Sequence, residues 1–142
     1  MWIQCIAGFV LLCSAKAELV SFPKLGIKIA KGFNITLFAD SNIAPDVYSM
    51  TLDPEGSVVI SSRGYIKRLI DEDGDGIAEK DLLLRQSSSG AMGMLYVDKR
   101  TLLTSEGGKF NRYIDQDGDG IFENGPELIG RFGGGEHGIH GI

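Results

Sequence analysis

Short runs in which apolar and polar residues alternate fill most of this chain, and turn residues separate them. Tyr48 to Asp53 is one run, ended by Asp53-Pro54-Glu55-Gly56. Ser57 to Ser62 is β-branched and apolar and breaks at Arg63-Gly64. Tyr65 to Ile70 sets Tyr, Lys and Leu on one face against Ile, Arg and Ile on the other, and Asp81 to Arg85 makes a fourth run. A period of two with turn signals between runs predicts antiparallel strands joined as meanders. The same order returns over 91–97, 101–105, 109–114 and 126–132.

The second set copies the first. Gly64 to Glu79 aligns without gaps on Gly108 to Glu123, an offset of 44 residues. Carried outward, the offset takes Met50 to Met94, Ser61 to Ser105, Leu84 to Leu128 and Gly90 to Gly134, so a third copy begins near residue 134. Four strands in about 40–45 residues is the unit of a β-propeller blade. The fold class expected is therefore all-β, a partial propeller of four-stranded antiparallel blades. Residues 48–142 would hold blades 1 and 2 and the start of a third. Residues 18–47 would be an N-terminal segment whose Phe33–Ala39 run forms a strand that pairs with the last blade and closes the ring.

The first 17 residues read differently. Met1 to Cys13 is almost wholly apolar, Ala15-Lys16-Ala17 is a small-x-small site, and polar sequence follows from Glu18. That is the layout of a secretory signal peptide, although its only n-region charge is the α-amino group. The run falls short of the roughly 20 apolar residues a membrane span needs. Lipidation of Cys13 is disfavoured by the bulky Leu12 before it, and an uncleaved anchor is the other alternative. The expectation is an exported chain: periplasmic, extracellular or membrane-associated through other domains. Cleavage after Ala17 would remove Cys5 and Cys13, leaving no disulfide framework and no CxxCH haem c site. Losing Lys16 with the leader leaves 13 basic against 19 acidic residues, a net charge of −6. That argues against nucleic acid as a partner, which calls for a concentrated basic surface.

Much of the acid is clustered. Asp71, Asp73 and Asp75, and in the copy Asp115, Asp117 and Asp119, occupy alternate positions of a tight turn before Gly76 and Gly120. Carboxylates at positions 1, 3 and 5 with glycine at 6 make the first half of an EF-hand loop, suited to a hard cation that takes six to eight oxygens. The position-7 carbonyls, of Ile77 and Ile121, would add to the set. The second half departs: position 12 is Leu82 or Pro126, so Glu79, Glu123 and Asp81 are the expected substitutes. Asp-Gly pairs also form ordinary hairpin turns. A turn needs one aspartate, however, and acids this crowded repel one another without a counter-ion. Calcium in a structural role is the favoured ion, with magnesium or no ion as alternatives.

Both histidines lie in Gly133-Gly-Gly-Glu136-His137-Gly-Ile-His140. By the offset this is the first strand of the third unit, and first strands line a propeller's channel. His137, with Glu136, is the candidate general base. Two histidines hydrogen-bonded between blades is the alternative reading. His140, three residues on, points to the opposite face of a regular strand.

Gly32–Ala39, Ser49–Gly56 and Gly133–His140 resemble the opening of the glucose/sorbosone dehydrogenase propellers, and most closely the PVC-type membrane-bound dehydrogenase family. The resemblance implies a quinoprotein that oxidises a sugar or alcohol and passes electrons to a haem c domain downstream. His137 matches the histidine that takes the substrate's hydroxyl proton while hydride goes to pyrroloquinoline quinone (PQQ). Two departures matter. The acidic turns are not those enzymes' quinone-binding calcium site, and the quinone-clamping residues are expected beyond Ile142. The rival expectation is a non-catalytic, calcium-stiffened propeller that binds polysaccharide or protein.

Overall fold

The computed structural model describes residues 18–132; the expected leader at 1–17 and the histidine segment at 133–142 lie outside the described residues. The chain divides into a short unit ending at Ile35 and a larger one beginning at Thr36. All regular structure among the described residues is antiparallel β-sheet.

The short unit holds a hairpin of β1 (Leu19–Phe22) and β2 (Ile27–Ala30). Its turn is closed by the Leu25 amide to the Phe22 carbonyl, 3.0 Å, and Gly26 adopts φ 68°.

The larger unit contains two four-stranded sheets, each with its strands in chain order. The first is β3 (Ser49–Leu52), β4 (Val58–Ser62), β5 (Tyr65–Ile70) and β6 (Lys80–Arg85). The second is β7 (Ala91–Asp98), β8 (Thr101–Glu106), β9 (Lys109–Ile114) and β10 (Glu127–Arg131). All eight fall on runs that alternation predicts. Turn chemistry fixes where they stop. Asp53 caps the first hairpin by accepting from the amides of Glu55 and Ser57 at 2.9 and 2.8 Å, and Gly56 takes φ 90°.

Pairing in the first three strands of each sheet is offset by 44. Ser49 faces Ser61 as Gly93 faces Ser105, and Val59 faces Arg68 as Leu103 faces Arg112. The fourth strands differ by one more residue. Lys67 pairs with Leu83, whereas Asn111 pairs with Leu128, and both ladders then carry a bulge. Leu83, not Leu84, is thus the counterpart of Leu128. The gap-free alignment fails after Glu123 because the loop holding Asn124, Gly125 and Pro126 is one residue longer.

Alternation then builds the core. Val59 and Ile66, on one face of the first sheet, pack with Leu84 against Ala91, Met94, Leu102, Tyr113 and Phe122 of the second. The opposite face of the first sheet, with Ile60 and Leu69, packs against Phe38, Ala39, Ile43 and Ala44. The two sheets join where Ser49 Oγ on β3 donates to the Ala91 carbonyl on β7, 2.8 Å, and the Ala91 amide donates to Ser61 Oγ on β4, 2.7 Å. The preceding glycine is obligatory there. A Cβ on Gly90, at φ 71°, would lie 2.8 Å from the Ser62 backbone.

The strand expected over Phe33–Ala39 is not formed among the described residues. A strand requires a ladder, and the bond this run accepts from the first sheet is from the Ala78 amide to the Phe38 carbonyl, 2.7 Å. That bond has a counterpart: the Phe122 amide donates to the Leu84 carbonyl at 2.9 Å. Phe38 therefore stands to the first sheet as β6 stands to the second.

Candidate functional site

The strands' alternating direction sorts the connections to two ends of the sheets. The acidic loops and the turn at 53–56 lie at one end. Arg63-Gly64, the linker 86–90 and Gly107-Gly108 lie at the other.

Both acidic loops fold on one plan set by their first aspartate. Asp71 accepts from the amides of Gly74 and Gly76 at 2.7 and 2.9 Å, and Asp115 accepts from those of Gly118 and Gly120 at the same distances. Asp75 accepts from the Ile77 amide and Asp119 from the Ile121 amide, both at 2.8 Å. Gly76 and Gly120 take φ 86° and 89°, a bend that L side chains resist. In the first loop Asp71, Asp73, Asp75 and Glu79 each bring a carboxylate oxygen within 4.8 Å of the others. In the second, Asp115, Asp117 and Asp119 do so. Hard oxygen donors gathered at one point fit a calcium-type cation, which these residues would hold.

The two remaining expected ligands are placed elsewhere. Asp81 lies on β6 and pairs with Lys67 at 3.3 Å. Glu123 is exposed and outside the second cluster. Pairing of β5 with β6 turns Asp81 along the sheet, a consequence that loop spacing does not reveal.

The surroundings of the loops differ. Gly74 opens to solvent, whereas Gly118 lies against the Arg100 guanidinium. Arg100 Nη1 also donates to the Gln116 carbonyl, 3.1 Å, and the Asp115 amide to the Arg100 carbonyl, 2.8 Å. Arg68, paired with the buried Asp53 at 2.8 Å, approaches Gly120. Burial works to raise the Asp115 carboxyl, but the Gly118 and Gly120 amides and Arg100 outweigh it and hold the group below its ordinary value. Burial pushes the nearby Tyr96 hydroxyl up to about 12.

At the opposite end lies a buried carboxylate that motif reading overlooks. Glu106 accepts from Ser87 Oγ at 2.6 Å, Thr104 Oγ1 at 2.8 Å and the Tyr113 hydroxyl at 2.6 Å. Burial alone would raise its pKa. These donors and Asn111 hold it below the ordinary 4.5 instead. Tyr113 is shifted up by burial and by the carboxylate it serves. A signal was present in the chain: Leu102, Thr104 and Glu106 share one face of β8, so the charge falls on a core position.

His137, the candidate base, and His140 lie outside the described residues, as does Glu136. Among the described residues no helix is long and apolar enough to cross a membrane. Comparison with family models, curated proteins and solved structures returned no match.

Proposed function

We propose that this chain supplies two successive blades of an exported, calcium-stabilised β-propeller. One observation carries the reading. Two sheets with strands in chain order share pairing partners 44 residues apart, and each bears an acidic loop between its third and fourth strands. Calcium bound by Asp71, Asp73, Asp75 and Glu79 neutralises their repulsion and ties the loop between β5 and β6, which stabilises the folded state by mass action. Phe38, in the position of an outer strand, is the start of the ring closure.

In its finer form the proposal is a quinoprotein-type sugar or alcohol dehydrogenase with His137 as base. PQQ would accept hydride, and a haem c domain would take the electrons onward. The alternative, a non-catalytic propeller that binds polysaccharide or protein, draws support from the polar cleft beside Glu106.

Calcium titration followed by thermal unfolding tests the metal. Calcium raises the melting temperature, chelator reverses it, and Asp73→Ala with Asp117→Ala abolishes the response. An unchanged melting temperature in excess calcium would refute the metal reading. Dye reduction with added PQQ tests the finer form. His137→Ala lowers kcat by about 10²–10⁴ while leaving calcium binding intact, and His140→Ala alters packing more than turnover. Absence of turnover with any sugar or alcohol leaves the non-catalytic reading in place.

A further inference from the structure

A cleft of about 360 Å³ opens between the two sheets, from the linker at 86–89 to Pro126. Its volume lies within the range of small-molecule sites. Arg85, Ser87–Ser89, Glu106, Lys109 and Arg131 line it. Lys109 and Arg131 are directly opposite on neighbouring strands. Like charges so placed repel across a sheet. Neither forms an ion pair or a side-chain hydrogen bond among the described residues, and both are exposed.

Two further groups define what the cleft accepts. Arg85 stacks on the Tyr113 ring, 4.7 Å from its centroid, and gives Nη1 to the carbonyls of Phe122 and Asn124. Its Nε is buried without a hydrogen-bond partner. Glu106 is the acid in the cleft, and hydroxyl donors already engage both its oxygens. Three cations against one carboxylate leave the lining at +2 in a chain of net charge −5.

We infer that this cleft binds a small hydroxylated carboxylate of the sugar-acid class. Its carboxylate sits between Lys109 and Arg131, relieving their repulsion, and its hydroxyls meet Ser88 and Ser89. The inference does not rest on the metal reading, since none of the clustered carboxylates lines the cleft.

Calorimetric titration of the chain with glucuronate tests it, with glucose as the uncharged control and inorganic phosphate as the anion without a carbon skeleton. Glucuronate binds, and 0.5 M salt weakens it. Lys109→Gln and Arg131→Gln each weaken it about tenfold, the loss of one charge-assisted contact. Both positions are exposed, so an unchanged melting temperature separates lost binding from lost folding. Ser88→Ala with Ser89→Ala weakens glucuronate and leaves phosphate unchanged. Glucose binding as tightly as glucuronate, phosphate binding as tightly, an unaffected Lys109/Arg131 double variant, or no glucuronate binding would each overturn the inference.

Discussion

In the first sheet the position after the acidic loop is Ala78, the β4 strand ends on Ser62, and the first hairpin turns at Gly56. In the second sheet the equivalent positions hold Phe122, Glu106 and Arg100. The ladders are nearly superimposable in register, yet the substitutions change what lies between the sheets. Phe122 fills the core that Val59, Ile66 and Leu84 begin, whereas Ala78 meets the smaller Phe38–Ala44 surface. Register is fixed by alternation and by the acidic turns, which both sheets share. Packing depends on the neighbour, which they do not share.

The largest expected break in that comparison comes from exchanging these residues. Phe122→Ala removes an aromatic that is 2 % exposed. It costs about 3–5 kcal/mol in denaturant unfolding. The reverse change, Ala78→Phe, overfills its site by about 1–3 kcal/mol. Equal costs would show that the two interfaces are packed alike.

Next comes Glu106. Glu106→Ala leaves the Ser87, Thr104 and Tyr113 hydroxyls without their acceptor and costs about 3 kcal/mol, whereas Ser62→Ala costs about 1 kcal/mol. The pH dependence follows from the direction of the shift. A carboxyl held below 4.5 in the folded state contributes its full stability above the unfolded value, and loses it as pH falls through the folded one. Wild-type stability should therefore fall below pH 4.5, and Glu106→Gln should flatten that limb of an unfolding-versus-pH curve.

The loops give a smaller contrast. Four carboxylates converge in the first and three in the second, where Arg100 already supplies positive charge. Calcium should accordingly bind the first loop more tightly by about tenfold, near 1.4 kcal/mol. Terbium luminescence on Asp73→Ala and Asp117→Ala separates the two, and Arg100→Gly should narrow the gap. The smallest effect expected is at the exposed Arg112–Glu127 pair, where Glu127→Gln changes stability by less than about 1 kcal/mol.

The strands of both sheets were legible because alternation and turn chemistry act over a few residues. Asp53 with Gly56, and each acidic loop, specify their own bends. The β1–β2 hairpin was missed: Pro23, Lys24, Leu25 and Gly26 carry a turn signal and Ile27-Lys28-Ile29 alternates after it, but each arm is only four residues long. Phe33–Ala39 was read as a strand because its composition suits one. Composition cannot supply the neighbouring backbone that a ladder needs.

What the sequence determined by itself was local and periodic. It set eight of the ten strands among the described residues, the 44-residue offset, and the convergence of Asp71, Asp73 and Asp75 and of their counterparts. Tertiary structure decided which residues meet across the sheets. It turned Asp81 to Lys67, laid Arg100 against the second loop, buried Glu106 among three hydroxyls, and set Lys109 beside Arg131. The physical reason is range. Backbone bends and side-chain alternation are decided within a few residues, whereas a charge's partners depend on segments that packing brings together from far along the chain.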